Sequence, residues 1–486
     1  MASTARRAGV ARGTHSSEKL AQQTARKIET DIVRQRWPLG RCLGSEADLR
    51  ERFGVSRAVL REAVRLLEHH QVATMRRGPS GGLFVRSPDP DSATRALIIY
   101  LERVGTTLPD LVSARLLLES LAVELAVARL DEEGIRQLRE ALDQEAQFRA
   151  SSGMSAPYLH QAIGGLSNNP ALELFINMLT ALTERYSRAA STHTPAAHRR
   201  SADMARHAHV AISEAMIAGD VSVAQHRIRK HIEAIADWLT GQSQQLSAAD
   251  EPEHSSVAPT AKLAEVVAEQ VRRDIAKQGL NAGDLLGSER DLQVDYDVSR
   301  SVFREAVRLL EYHSIAVMRR GPGGGLVVAE PDPQAAIETM GLYLDYKGIR
   351  VEDLRILRET LELGCVDHVA KLIDDEVVYE RLRASLEVDT STPEGEVLER
   401  SRTFHTELAD LSANPVLSVF LRVLMEVWVR HSAALPADPG AQSGPFAPQI
   451  EAIHGAIVDA ILAGDSALAK HRMRRHLEAL TDVWRP

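Results

Sequence analysis

The sequence predicts a mainly α-helical fold laid down twice in one chain of 486 residues. Three observations carry that expectation. The stretch Leu43 to Val85, LGSEADLRERFGVSRAVLREAVRLLEHHQVATMRRGPSGGLFV, recurs without a gap from Leu286 to Val328 as LGSERDLQVDYDVSRSVFREAVRLLEYHSIAVMRRGPGGGLVV, 243 positions on. Aromatic residues make up only 4% of the chain, while alanine and leucine are frequent, which favours helix over sheet. The β-like runs are short and flank glycine-rich turns.

Taken in order, residues 1–16 are small, basic and aperiodic, and read as a mobile tail. A helix is expected from Ser17, with Leu20, Ile28 and Ile32 on one face, ending before Pro38-Leu39-Gly40. Ser45 with Asp48 three residues on makes a capping-box-like start for a short helix to Phe53, and Gly54 permits a sharp turn. Ser56 then caps a helix carrying Arg57, Arg61 and Arg65 at i, i+4 and i+8, which drift by only about 40° per step and share one face. Val59, Leu60, Ala63, Val64 and Leu67 cover the other side. Val72 to Arg77 and Leu83 to Arg86 flank Gly78-Pro-Ser-Gly-Gly as a hairpin. Helix, helix, arginine-bearing helix and hairpin together make a winged helix-turn-helix over residues 17–87.

Pro88-Asp-Pro90 breaks the chain. Residues 91–240 then read as an antiparallel all-α bundle, interrupted at Gly153, at Asn168-Asn169-Pro170, between Ser191 and Ser201, and at Gly219-Asp220. Residues 241–260 are polar and read as a flexible linker with a random-coil reach of roughly 25 Å. The pattern returns as a winged helix at 261–330, a breaker at Pro331-Asp-Pro333 and a bundle at 334–486, where the offset becomes 245.

Charge locates the reading surface. The whole chain carries −9, yet Met1 to Ser87 has 17 Lys+Arg against 8 Asp+Glu, while Thr260 to Ala329 has ten of each. The first copy therefore has the electrostatic footprint of a nucleic-acid binder, and the second does not. An α-helix fits the major groove, where arginine reads guanine through O6 and N7. Arg57 and Arg61 lie in the first turns, and Arg65 farther along suits phosphate. Arg77-Gly78 can place a cation in the minor groove or on the backbone. A solvated arginine stripe is the plainer reading of any one helix, but here the stripe follows a capped turn, precedes a glycine-rich hairpin and occurs twice. Double-stranded DNA is the expected partner.

These motifs resemble the winged-helix domain of the GntR family of bacterial transcription regulators, through LGSE, VSR, REAVRLLE and MRRGP followed by GGL. The helical parts resemble the FCD ligand domain of the FadR subfamily. The resemblance covers about 90% of the chain, all but tail and linker. It implies an operator-binding regulator, most often a repressor, that responds to a small effector. It assigns DNA contact to Arg57, Arg61, Arg77 and Gly78 in copy one. In copy two it assigns Arg300, Arg304, Arg320 and Gly321, with Arg308 the counterpart of Arg65. A further arginine after the SE of the motif is Arg290 in copy two but Ala47 in copy one. The usual turn glycine is Gly54 in one copy and Asp297 in the other, and Asp291, Asp295 and Asp297 sit near the DNA side of copy two. Unequal half-site affinities and an imperfect palindrome follow as expectations. Ordinary relatives are homodimers, so this chain is expected to act as a covalent pseudo-dimer, or as a homodimer of such chains.

His160, His209 and His231 match His405, His454 and His476 at offset 245. Imidazoles gathered from separate helices have metal-site composition. The resemblance implies a divalent metal such as zinc in each bundle, with a small carboxylate effector on it. The aspartate that completes the family's ligand set is replaced by Ala156 and Ser401. Hydrogen-bonded core histidines are the plainer reading, and His226 with His471 shows that a matched pair need not ligate. Arg115 and Arg358, each followed four residues on by Glu119 or Glu362, read either as i,i+4 ion pairs or as cations for the effector's carboxylate. Two other functions share these features. One is a three-histidine metalloenzyme, disfavoured by the lack of an HExxH-like motif. The other is a sequence-tolerant architectural DNA binder. Cys42 and Cys365 do not match between copies and suggest no disulfide framework. With no apolar run near the roughly 20 residues that span a bilayer, they point to a cytoplasmic protein without membrane contact.

Overall fold

The computed structural model describes residues 8–78, 81–152, 156–189, 195–240, 263–321, 323–386, 397–434 and 446–483. The 241–260 linker and the interruption at Gly153 lie outside the described residues, as do residues 1–7 of the tail.

The first half runs α1 (Ala8–Arg34), α2 (Glu46–Phe53), α3 (Arg57–His69), β1 (Ala73–Arg76), β2 (Gly82–Val85), α4 (Pro90–Arg103), α5 (Leu108–Val127), α6 (Glu132–Ser152), α7 (Tyr158–Leu166), α8 (Pro170–Ala189), α9 (Pro195–Ile217) and α10 (Val221–Thr240). The second half repeats it as α11 (Leu263–Lys277), β3 (Leu285–Gly287), α12 (Glu289–Asp295), α13 (Arg300–Tyr312), β4 (Ala316–Arg319), β5 (Gly325–Val328), α14 (Gln334–Tyr346), α15 (Val351–Lys371), α16 (Glu376–Ala384), α17 (Val397–Leu411), α18 (Pro415–Ala434), α19 (Phe446–Leu462) and α20 (Ser466–Val483).

Three local expectations change. Helix α1 begins at Ala8, so residues 8–16 are not a tail but part of a helix; no proline interrupts them. Its buried face is Ala21, Ala25, Ile28 and Ile32, whereas Leu20 is 42% exposed, because the face follows i, i+4, i+7 and i+11 from Ala21. In the second copy a third strand joins the wing: β3 and β4 both pair antiparallel with β5, giving the order β3-β5-β4. In the first copy the matching segment lies against β2 around a Cys42–Phe84 bridge, with Gly40 and Leu43 N–H donating to the Val85 and Leu83 carbonyls and Val85 and Leu83 N–H donating to those of Arg41 and Gly44.

The fold divides into two compact units, and neither coincides with one half of the sequence. One unit holds the first winged helix with most of α14 and the second half of α18. Its core joins Ala25, Ile28, Ile32, Leu60, Leu67 and Leu83 to Leu342 of α14. Trp37 meets Tyr346 edge-on, with ring centroids 5.4 Å apart. The other unit holds most of α4, the first bundle, the second winged helix and the rest of the second bundle. There Val267, Val271, Phe303, Leu310 and Leu326 enclose Ile99 of α4, and Arg103 donates to the carbonyls of Ser314 and Ala329. Helices α4 and α14, which the sequence assigns to the bundles at 91–240 and 334–486, therefore each complete the core of the other half's winged helix.

Within the second unit the bundles meet through matched residues. Phe175 and Phe420 stack with centroids 3.9 Å apart and planes 5° from parallel. Asn169 donates to the Asp353 carbonyl at 3.0 Å, and Asn414 to the Asp110 carbonyl at 3.1 Å. Each contact is the counterpart of the other, the signature of an isologous two-fold interface. Among the described residues no helix is long and apolar enough to cross a membrane.

Candidate functional site

The reading heads are built by capping. Asp48 N–H donates to Ser45 Oγ at 3.3 Å, and Ser45 N–H returns a bond to Asp48 Oδ2 at 2.9 Å. These bonds from Ser45 hold the Asp48 carboxyl below its ordinary range. Gly54 closes α2 in the left-handed region at φ 63°, and in the second copy Asp297 takes the same turn at φ 48°, a conformation aspartate tolerates better than most residues. Ser56 and Ser299 then accept from the N–H of Val59 and Val302 at 3.3 and 3.4 Å, starting α3 and α13. Leu60, Ala63 and Leu67, like Phe303, Ala306 and Leu310, are buried. That leaves Arg57, Arg61, Arg300, Arg304 and Arg308 exposed. Arg65 is partly exposed and pairs with Glu62 at 2.8 Å. Arg77, Gly78, Arg290, Arg320 and Gly321 are exposed, the two glycines at φ 117° and 109°.

Acidic residues that the motif reading passed over organise these arginines. Glu46, the E of the first LGSE, accepts from Arg57 at 2.6 Å. Its counterpart Glu289 accepts from both Arg300 at 3.2 Å and Arg304 at 2.8 Å. The bond from Arg304, then that from Arg300, lowers the Glu289 carboxyl despite some burial. At the other end of the recognition helix, Glu68 and Glu311 accept the N–H of Met75 and Met318 at 2.9 and 3.0 Å, tying each wing to its helix. Their signal was legible as the final E of both REAVRLLE motifs.

The six histidines gather as two buried triads. His231 Nε2 lies 2.8 Å from His209 Nε2 and 3.3 Å from His160 Nε2. His476 Nε2 lies 3.1 Å from His454 Nε2 and 3.3 Å from His405 Nε2. In each triad one ligand atom per residue falls within 4.8 Å of the others. His226 and His471 are exposed and outside the triads.

Carboxylates fix the tautomers. His160 Nδ1 donates to Glu119 at 2.5 Å and His209 Nδ1 to Glu145 at 2.7 Å, which leaves both Nε2 atoms as acceptors. A single Nε2–H on His231 can serve only one of them. His405 Nδ1 meets Glu362 at 2.6 Å in the second triad. His454 instead has Phe404 stacked on it, with centroids 4.0 Å apart. Burial resists ionisation of Glu119 and Glu362, but Arg115 with His160, and Arg358 with His405, pull each down to about 2. Burial, then neighbouring imidazoles, pushes His231 well below its usual value, His454 to about 2 and His476 to about 3.

Three imidazole nitrogens brought this close fit a divalent cation once His231, or His476, carries its proton on Nδ1 instead of Nε2. Tetrahedral Zn–N bonds of about 2.0–2.1 Å separate the nitrogens by about 3.3 Å, against 2.8 and 3.3 Å from His231 and 3.1 and 3.3 Å from His476 to their partners. Ala156 is buried and offers no ligand atom; the Ser401 side chain lies outside the described residues. Arg115 and Arg358 lie two turns into α5 and α15. Both are buried and each bonds its i+4 glutamate at 2.5 Å. Arg115 also reaches Thr183 at 3.3 Å, and its Nη2 lies 3.4 Å from His160 Nδ1. The i,i+4 ion pair is present in both bundles, and in each the arginine holds the glutamate that holds the histidine. Glu145 was not foreseen, since at offset 245 the sequence has Thr390 in its place, which lies outside the described residues.

Family comparison agrees with this double layout. The gntR family of bacterial regulatory proteins matches residues 20–85 and 263–327, and the FCD domain matches 110–234 and 353–479. The chain is 28% identical over 229 residues to the HTH-type transcriptional repressor NanR of Cronobacter sakazakii, covering 46% of this chain and 85% of that one. A NanR from an Enterobacter species is likewise 28% identical over 230 residues, with the same coverage. A solved Streptococcus agalactiae GntR structure aligns with TM-score 0.32 at 19% identity, over 45% of this chain and 99% of that one.

Proposed function

Because this chain belongs to the GntR family of bacterial regulatory proteins, with its DNA-binding and FCD domains each present twice, we propose that one polypeptide does the work of the family's dimer. It occupies one operator with two unlike reading heads and releases or tightens on it when a small effector enters the bundles. The observation that carries this reading is the isologous contact between the bundles, with Phe175 on Phe420 and the crossed asparagine bonds, made inside one chain. Covalent linkage makes the second head's encounter with DNA intramolecular and raises its effective concentration.

Arg57 and Arg61 in one head, and Arg300 and Arg304 in the other, are the guanine-reading side chains of this account. Arg65, Arg308, Arg77 and Arg320 serve the backbone, and Arg290 adds a contact in the second head alone. Repression is the expected output, in line with the repressors the chain resembles.

The histidine triads are the effector sites. His160, His209 and His231, and in the other bundle His405, His454 and His476, would hold a divalent cation such as zinc. Such a cation would present an open position to a carboxylate oxygen. Arg115 and Arg358 then act as positioning residues, fixing the glutamate behind His160 or His405 and adding positive potential for an anionic effector. A ligand preferring one arrangement of the bundles shifts operator affinity by its differential affinity for the two arrangements.

Selection of bound DNA from a random duplex pool with the full chain tests the reading. It is expected to return two recurrent, non-identical half-sites at fixed spacing. A single half-site, or no enrichment, contradicts it, and the latter would favour a sequence-tolerant binder.

A further inference from the structure

Each winged helix rests on the connecting helix of the other half, and the charges at these two seats are reversed. On α1 the facing side carries Arg26 and Glu29; the matching positions of α11 are Glu269 and Arg272, at offset 243. On the connecting helices Glu338 of α14 matches Arg95 of α4, and Tyr346 matches Arg103. The acids Glu102 and Asp345 match each other, as do Arg185 and Arg430 at offset 245.

The seats use these residues in opposite order. At the second winged helix Glu102 lies between two arginines, 3.3 Å from Arg272 and 3.0 Å from Arg185. The Arg272 and Glu102 side chains are 7% and 8% exposed. At the first winged helix an arginine lies among acids: Arg430 is 3.7 Å from Asp345 and 3.1 Å from Glu426. Glu29, buried and bonded to His70 at 2.6 Å, also faces it. Arg26 pairs with Glu338. Arg103 reaches carbonyls of the second winged helix, where its counterpart Tyr346 packs on Trp37 of the first.

We infer that this charge reversal is a pairing code: it makes the first winged helix fit α14 and the second fit α4, and penalises each on its own half's connecting helix. The first winged helix on α4 would set Arg26 against Arg95 and Glu29 toward Glu102. The second on α14 would set Glu269 against Glu338; only Arg272 toward Asp345 would keep opposite signs. A buried charge left without its partner costs far more than an exposed pair contributes. A homodimer of identical chains has no means to encode such a distinction, since its two seats are the same. The partner each docking surface selects is thus the unlike half. The inference is independent of operator and effector.

The test exchanges the codes in the full chain without altering its net charge, in the variant R26E/E29R/E269R/R272E. Hydrogen exchange is followed in α1, α4, α11 and α14 alongside thermal unfolding. Loss of protection in α4 and α14 with a lower unfolding midpoint is expected, and unchanged protection overturns the code. A smaller cycle keeps the test informative should that variant not fold. E102R and R272E singly are expected to lower the midpoint by about 5 °C or more, and E102R/R272E to lower it by less than the sum of the two, Arg185 and Glu269 still opposing the exchanged charges. E102Q, R272Q and E102Q/R272Q give the same coupling with less disruption. A double variant no better than the sum of its singles, in either set, contradicts the pairing.

Discussion

Arg57 and Arg300 occupy the same turn of the same motif, but Glu46 holds only Arg57 whereas Glu289 holds both Arg300 and Arg304. To read bases, the second head would have to redirect two arginines away from one carboxylate, on a winged helix with equal numbers of basic and acidic residues. Arg57→Ala/Arg61→Ala is therefore expected to weaken operator binding more than Arg300→Ala/Arg304→Ala in a salt-controlled titration; equal losses contradict the asymmetry. The histidine triads give a second residue-scale prediction. Burial, then the neighbouring imidazoles, pushes His454 down to about 2 and His476 to about 3 in the folded chain, from the ordinary 6.5 that the unfolded chain keeps. The unfolded chain thus binds more protons below pH 6.5, so their contribution is complete above that value and is lost as pH falls toward 3 and 2. The unfolding midpoint of metal-free protein should decline between pH 7 and 5, and His476→Gln should flatten the decline. An unaltered slope contradicts this. Metal analysis of full-length protein is likewise expected to find divalent metal, reduced by half in His231→Ala; an equal load in wild type and variant, or none in either, contradicts the sites. The arginines and histidines were legible because they repeat at fixed offsets. Glu145 and Phe404 were not, since each stands in one copy only.

At the scale of the element, local chemistry was the more readable part. Ser45, Ser56, Ser288 and Ser299 cap the helices they precede, because a serine before an apolar-periodic run accepts an N–H the helix leaves unbonded. Ser56→Ala is expected to cost about 1 kcal/mol of stability in the first winged helix, and Ser299→Ala a similar amount in the second; denaturant unfolding checks both. The wing is less tolerant. A Cβ on Gly325 would lie 2.3 Å from the Gly287 carbonyl oxygen, so Gly325→Ala must separate β3 from β5 and is expected to lower binding by the second head; wild-type affinity and stability contradict that close approach. That third strand escaped the sequence reading because three residues with one exposed apolar side chain carry no alternation to detect. The early start of α1 escaped it because weak helix formers there give no periodic face.

For the whole molecule, the repeat announced two reading heads and two bundles, but not which packs on which. Periodicity shows that α4 and α14 each have an apolar face; it does not show that Ile99 completes the core of the second winged helix and Leu342 that of the first. The exchange became visible only through the packing, and the reversed charges at positions 26, 29, 269 and 272 acquire meaning only with it. In the proposed function a single chain supplies both heads. The most direct measurement is the mass of the complex formed between full-length protein and a duplex carrying the selected pair of half-sites, at protein concentrations near the dissociation constant. One chain per duplex, with affinity lost when either half-site is scrambled, is the result predicted. Two chains per duplex, or full affinity for a single half-site, would contradict it.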